Sequence, residues 1–279
     1  MSIIRIAVAS TPLTTTLDQA IPVAVRAIEE AGRLGAAIVC LPETTLPGHR
    51  VQARPVPDVS ADEIDAALEV VAAAAHAAQV VTIIGAERPT ARGREIIGTE
   101  RPTARGREIV AAVFDADGMF LGEQAKTQID HTEEADYVAG AGRRVFTAGG
   151  ATFGIAICHE AFRYPEISRS LVLAGAQIVF VPHFVITEDG SLPTTWCDRA
   201  NPYNEKALLM RALENSVFFA ASNVTGPDQG SITGIIAPDG RLAASLDYGR
   251  VGVVAADIEL DEANGALARR WAPERNVLI

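Results

Sequence analysis

Gly154-Ile155-Ala156-Ile157-Cys158-His159-Glu160-Ala161-Phe162-Arg163-Tyr164-Pro165-Glu166 is an apolar run that ends on a cysteine, crosses a few polar residues and reaches a proline able to open a helix. The order it spells is strand, turn, helix, with a thiol at the C-terminal end of the strand. The same alternation of short β-rich runs and alanine-rich helical stretches extends in both directions, the pattern of an α/β protein whose helices cover its sheets. Strands are expected at 3–9, 37–41, 80–85, 110–114, 119–126, 153–157, 177–181, 217–222, 232–237, 242–245 and 251–257, a count near twelve. Asp117-Gly118 and Asp239-Gly240 each sit between two such runs and read as hairpin turns. A helix over 17–34 should bury Ile21, Val25 and Ile28, and Ser60 is placed to cap a second helix ending near Gln79. No Ser/Pro/Gly-rich linker divides the chain, so residues 1–279 are expected to form one two-sheet domain.

Composition narrows the function. The chain is 48% hydrophobic and 21% charged, with no apolar run approaching the roughly 18 residues that suggest a membrane span. Twenty-four Lys and Arg against 35 Asp and Glu give a net charge of −11, and the basic residues are scattered, so nucleic acid is not an expected partner. Met1 to Val8 reads at once as a strand, without a cationic leader. Cys40, Cys158 and Cys197 are too few and too far apart for a disulfide framework, and no CxxC or HExxH offers a metal cage. A cytoplasmic protein with reduced thiols and neither metal nor cofactor is the expectation.

One feature breaks the rhythm. Glu87-Arg88-Pro89-Thr90-Ala91-Arg92-Gly93-Arg94-Glu95-Ile96 recurs letter for letter from Glu100 to Ile109, a tandem duplication of period 13. A single pair of repeats is too little for a solenoid. A surface insertion is expected, in which either copy has the side chains to stand next to Val110 while the other bulges.

Three groups have a chemical address. Cys158, at a strand end before a turn, has backbone N–H groups near it that can stabilise a thiolate or an oxyanion, although free cysteine is also a common core residue. Cys40, between large apolar neighbours, reads as core, and Cys197 as a bystander. A nucleophilic thiol needs a base and an oxyanion stabiliser. Leu41-Pro42-Glu43 puts a carboxylate past one strand, and Gly122-Glu123-Gln124-Ala125-Lys126 an ammonium at the end of another, all three at the strand ends where α/β sites assemble.

Those segments, Leu41-Pro42-Glu43, Lys126 and Ile157 to Glu166, resemble the three catalytic segments of the nitrilase superfamily, the carbon-nitrogen hydrolases. Asn201-Pro202-Tyr203-Asn204-Glu205-Lys206-Ala207, Arg211 to Asn215, Ser222-Asn223 and Gly230-Ser231 before Pro238-Asp239-Gly240 are similar to its C-terminal half. The duplicated region departs from the pattern. What the resemblance implies is a four-layer αββα sandwich in which Glu43 is general base, Lys126 oxyanion stabiliser and Cys158 nucleophile. It also implies a second glutamate shortly after the lysine, for which Glu134 is the best candidate and Glu133 its rival, and a backbone N–H of His159 in the oxyanion hole. Pairing across a helical face into a homodimer or higher oligomer is implied as well, with the tail 266–279 a plausible contact.

The chemistry of the set is coherent. A carboxylate can take a thiol proton only if its pKa is raised toward the thiol's, which burial beside a second carboxylate achieves. The expected reaction is hydrolysis of a small amide through a Cys158 thioester, releasing ammonia or an amine; a nitrile would follow the same route through a thioimidate. Cys-His-Glu after the strand, where nitrile-cleaving members tend to show Cys-Trp-Glu, tilts the expectation to amides. A catalytically weak scaffold that binds a metabolite is the remaining reading. His183, Phe184 and Trp196 are expected near the substrate. Arg163 has two readings, a greeter of a substrate carboxylate or a salt-bridge partner of Glu166 or another acid, and Glu160 a structural or a catalytic one.

Overall fold

Alternation along the first strand sets the layers. In a computed structural model that describes residues 2–50, 55–90, 106–187, 193–199 and 203–275, β1 (Ile3–Pro12) sends Ile6 and Val8 to one face and Ala7 and Ala9 to the other, all fully buried. The strand has helices on one side and a second sheet on the other. The first sheet is completed by β2 (Ile38–Cys40), β3 (Val81–Thr90), β4 (Gly106–Phe114), β5 (Phe120–Ala125) and β12 (Gly252–Glu259). β1, β2 and β3 run parallel, β4 and β5 return antiparallel, and β12 lies antiparallel to β1.

The second sheet consists of β6 (Val145–Ala148), β7 (Ala151–Ile155), β8 (Ile178–His183), β9 (Phe218–Thr225), β10 (Gly234–Ile236) and β11 (Leu242–Ser245), with β7, β8 and β9 parallel. A short parallel contact, Thr11 with Val224, joins it to the first. Ile38, Cys40, Ile83 and Val113 of the first sheet share one core with Phe153, Val179 and Phe219 of the second. Phe153 meets Phe180 edge to face with ring centroids 5.3 Å apart. Helices α1 (Leu17–Arg33) and α2 (Ala61–Ala78) cover the first sheet; α4 (Pro165–Leu173) and α5 (Tyr203–Asn215) cover the second. The result is the four-layer αββα sandwich.

Both Asp-Gly turns connect paired strands, and Ser60 caps α2 in a reciprocal box with Glu63, its hydroxyl accepting from the Glu63 N–H at 3.2 Å. Helix α1 is rotated from the expected face. Ala20, Ala24, Ala27, Ile28 and Ala31 are the buried stripe, whereas Ile21 and Val25 are only half-buried. Small side chains let α1 lie close to α2: a Cβ at Gly32 would stand 2.9 Å from that of Ala78. Strand β6 escaped the pattern because it is four residues long with mixed exposure.

The duplication is divided between two strands. Glu87 to Thr90, the head of the first copy, lies in β3, and Gly106 to Ile109, the tail of the second, lies in β4, paired as Glu87 with Ile109, Arg88 with Glu108, Pro89 with Arg107 and Thr90 with Gly106. Among the described residues, the pairing thus runs between the head of one copy and the tail of the other. The intervening residues, 91–105, fall outside the described ones. Extra length placed between paired strand ends leaves every ladder pair in register, whereas a bulge next to Val110 would break the ladder.

Candidate active site

The three strand ends meet. Glu43 follows β2, and its backbone is pressed against β3 at Gly85, where a Cβ would stand 2.2 Å from the Pro42 carbonyl oxygen. Only glycine allows that approach. Lys126 follows β5, its N–H donating to the Ile109 carbonyl at 2.8 Å. Cys158 lies between β7 and α3 (His159–Arg163), with φ +49° and ψ −114°, a conformation rare for a side-chain-bearing residue, and its N–H donates to Pro182 at 3.0 Å. His159 occupies the first position of α3, where a helix leaves its N–H without an intrahelical acceptor.

Lys126 is the hub of the charges. It is wholly buried, and its Nζ donates to Glu43 Oε1 at 2.8 Å and to both Glu133 oxygens at 2.7 Å. Burial opposes its charge, but Glu43, Cys158 and Glu133 outweigh burial and raise its pKa well above the ordinary value, so it stays an ammonium. Burial pushes Glu43 up; Glu133 adds to the rise, while Lys126 and His49 restrain it. Glu133 goes the other way, to about 2: burial is overcome by Lys126 and by His49. The Cys158 thiol is pushed well above its usual range by burial and by Glu43, with Lys126 opposing. The shifts of Glu43 and Cys158 both make the proton harder to remove, so the thiol stands near a carboxyl group that is a stronger base than usual, and Glu43 Oε2 has no hydrogen-bond partner.

The second glutamate is Glu133 and not Glu134. In the turn 130–136 the Glu133 N–H donates to the Asp130 carbonyl at 2.9 Å, and Glu133 Oε2 accepts from the Asp130 N–H at 3.0 Å. That turn carries Glu133 inward to Lys126 and leaves Glu134 exposed. Two adjacent glutamates are indistinguishable by spacing alone; the path of a tight turn separates them.

Glu160 is a positioning group. Fully buried, it accepts from the Thr127 N–H at 2.6 Å, the Thr127 hydroxyl at 2.7 Å, the Gln128 N–H at 3.2 Å and the Ile157 N–H at 3.0 Å, and it pairs with Arg143. One carboxylate thus ties the chain just after Lys126 to the chain just before Cys158.

The expected substrate residues divide. Phe184 is at the site: its carbonyl lies 3.8 Å from Cys158 Sγ. Arg163 is exposed with its guanidinium 3.7 Å over the Tyr203 ring and has no carboxylate partner among the described residues, so the salt bridge to Glu166 does not form. His183 belongs to the core. It is fully buried with its ring edge to face on Phe162 and Nδ1 3.0 Å from the Val181 carbonyl, and burial lowers its pKa to about 4, which keeps it neutral. Trp196 is half-buried against the hydrophobic core.

His49 is the residue that sequence reasoning missed. It lies in the loop after β2, read only for its Pro47-Gly48 break, yet it is buried, with Nε2 3.1 Å from Glu133 Oε1 and its ring stacked on Phe184 at 4.3 Å. Histidine six residues after a candidate base was the signal available. Ligand atoms of Glu43, His49 and Glu133 lie within 4.8 Å of one another, a spacing a divalent ion could use. The Lys126 ammonium already bridges the two carboxylates there.

Comparison with known proteins bears on the family and the fold. The carbon-nitrogen hydrolase family profile matches residues 5–266. An N-carbamoylputrescine amidase of Arabidopsis thaliana is 31% identical over 167 residues, 54% of each chain. A probable nitrilase of Schizosaccharomyces pombe is 29% identical over 149 residues, 51% of this chain and 49% of that one. The matches thus span about half the length of these curated relatives. Among solved structures, a nitrilase-superfamily amidase of Nesterenkonia superposes with a TM-score of 0.76 at 22% identity over 98% of this chain and 95% of that one. A mutant of that amidase, whose active-site cysteine carries the acetamide moiety of fluoroacetamide, superposes with a TM-score of 0.77 at 23% identity over 99% and 97%.

Proposed function

The chain belongs to the carbon-nitrogen hydrolase family, and on that premise we propose that it is a thiol amidohydrolase that cleaves a small non-peptide amide through a Cys158 thioester. The observation that carries this reading is the buried Lys126 ammonium held between two carboxylates, one of them with an oxygen left unpaired beside the nucleophile's strand end.

Glu43 takes the thiol proton as Sγ attacks the amide carbon, and the C=O electron pair moves to oxygen. Lys126 and the His159 N–H meet that oxyanion, the Lys126 charge being prepaid by Glu133, which fixes its position. As the carbonyl re-forms, the C–N bond breaks and Glu43 gives its proton to the departing nitrogen. Glu43 then deprotonates water, hydroxide adds to the thioester, and collapse breaks the C–S bond, the thiolate recovering the proton from Glu43. Every proton is accounted for by one carboxylate, without a cofactor. Arg163, exposed over Tyr203, supports recognition of a negatively charged end of the substrate.

A nitrilase of Pyrococcus abyssi, 30% identical over 112 residues, 40% of this chain and 37% of that one, favours the second reading, attack on a nitrile. No helix among the described residues is long and apolar enough to cross a membrane, and three free cysteines suit a cytoplasmic enzyme. Apolar side chains exposed around α4, α5 and α6 (Ala266–Arg269), including Leu173, Met210 and Leu267, support assembly as a homodimer or higher homo-oligomer.

Ammonia release over a panel of amides, N-carbamoyl compounds and nitriles tests the proposal. Release from amides should fall by more than about 10⁴-fold in Cys158→Ala. Release chiefly from nitriles selects the second reading, and silence from the folded wild type returns the scaffold reading.

A further inference from the structure

Asn223 is fully buried near the C-terminal end of β9, where it faces His183, the last residue of β8. Past His183 the ladder of these two strands stops, and the Asn223 side chain takes its place. Oδ1 accepts from the Val185 N–H at 2.9 Å, and Nδ2 donates to the Val185 carbonyl at 3.0 Å and to the Ser231 carbonyl at 2.9 Å. Both amide hydrogens and the oxygen are engaged, so the carboxamide has one orientation. The proposed reaction does not use this residue, yet its reach is short. The Val185 N–H and the Phe184 C=O belong to one planar peptide and point in opposite directions, so a bond that pins the first aims the second. The Phe184 carbonyl accepts from Cys158 Sγ at 3.8 Å, and the Phe184 ring stacks on His49 at 4.3 Å. A thiol has one hydrogen to give; given to Phe184, it leaves Glu43 Oε2 without a partner, as observed.

We propose that Asn223 is a positioning residue for the nucleophile: through the 184–185 peptide it keeps the Phe184 carbonyl on the Cys158 S–H and so fixes the rotamer from which Sγ attacks. This rests on the amidohydrolase reading, in which Cys158 is the nucleophile, and deepens it. The Cys158 backbone, at φ +49°, aims the side chain only as far as Cβ. Rotation about Cα–Cβ offers three staggered wells, and an acceptor within reach of one of them selects it. Attack on a carbonyl carbon is sensitive to such a choice, because a displacement of about 1 Å in a reacting group costs on the order of 10²-fold in rate.

The test uses the full chain and three variants. Asn223→Ser removes the carboxamide, and Asn223→Asp keeps its size and an acceptor for the Val185 N–H. Thr233→Val is a control of equal depth: the buried Thr233 hydroxyl accepts from the Asn223 N–H at 3.0 Å, so its loss loosens the same strand and leaves the carboxamide in place. The first readout needs no substrate. It is the S–H stretching band of Cys158, isolated by subtracting the infrared spectrum of Cys158→Ala; it should move toward the frequency of a free thiol in Asn223→Ser and stay in place in Asn223→Asp and Thr233→Val. The second is amide cleavage, in which Asn223→Ser should lose about 10- to 100-fold in kcat with KM within about threefold of wild type, while Thr233→Val loses stability and keeps kcat. An unmoved band in folded Asn223→Ser overturns the inference, and so does an equal fall of kcat in Thr233→Val, the mark of a residue that only supports its strand. If Asn223→Ser does not fold, a displaced band in Asn223→Asp overturns the inference and an unmoved one upholds it. A folded wild type that cleaves no amide, or cleavage that persists in Cys158→Ala, overturns the amidohydrolase reading; it is recognised without any Asn223 variant, and the substrate-free band still decides where the thiol is held.

Discussion

Two buried glutamates, Glu43 just past the end of β2 and Glu87 in the neighbouring β3, stand opposite cations and differ in what is left over. Glu87 is completely satisfied: Arg50 donates to Oε2 at 2.8 Å and to Oε1 at 2.7 Å, and Arg107 stands 3.5 Å from Oε1. Arg50 continues to the Val56 and Pro57 carbonyls, and Arg107 pairs with Asp58, so the cluster locks the loop 55–58 to the β3–β4 hairpin. Glu43 has one oxygen on Lys126 and the other unpaired. The adjacent residues His49 and Arg50 divide between the clusters, one reaching Glu133 and the other Glu87. Burial and opposite charge are common to both sites. What separates a strut from a reactive group is unfinished hydrogen bonding, and the fold keeps it where strand ends converge.

That contrast breaks most sharply under the same substitution made twice. Glu43→Gln keeps shape and removes the proposed base; kcat should drop about 10²- to 10⁴-fold while the denaturation midpoint moves little. Glu87→Gln should do the reverse, lowering stability by about 3 kcal/mol because Arg50 loses a bidentate anion in a buried place, with turnover of the folded fraction kept. Chemical denaturation and steady-state rates of both variants decide the matter. If Glu87→Gln abolished turnover without loss of stability, the two clusters would be one functional unit.

A smaller effect distinguishes the two carboxylates of the site itself. Glu133 has a folded pKa of about 2, below the ordinary 4.5. Its ionisation therefore contributes stability that is fully present above about pH 4.5 and is lost as pH falls from there through about 2. Glu43, shifted upward, contributes nothing of that sign. Thermal unfolding between pH 5 and 2 should show a shallower acid decline in Glu133→Gln than in wild type, from a lower starting stability. An unchanged decline would assign the acid sensitivity to other groups.

The smallest effect concerns the hairpin under Glu87. Deleting any 13-residue window within 87–109 produces the same chain, in which paired Thr90 and Gly106 are joined by Ala-Arg alone. Shortening that connection from 15 residues to 2 should stabilise the protein by about 1–2 kcal/mol of loop closure, with kcat unchanged. Differential scanning calorimetry reads the shift; a loss of stability would mean that the inserted residues contribute contacts.

The residues carrying the triad positions were legible because each terminates an apolar run. Chain order alone brings strand ends to one edge of a sheet, so Glu43, Lys126 and Cys158 could be nominated from local pattern. Glu134 was preferred to Glu133 because spacing has no means of expressing which way a turn points. His183 and Trp196 followed recognisable strands and loops, but the turn of one side chain onto Phe162 and of the other onto the core is a packing outcome.

By itself the chain determined its layers, its two Asp-Gly hairpins and the three strand ends that carry carboxylate, ammonium and thiol, since period, turn chemistry and run length are local properties. Only the tertiary structure decided that His49 joins Glu133, that Glu160 staples the lysine to the cysteine turn, and that the duplication divides between two strands. Those outcomes depend on contacts between residues far apart in sequence, whose free energies arise from burial and unshared hydrogen bonds that no single segment contains.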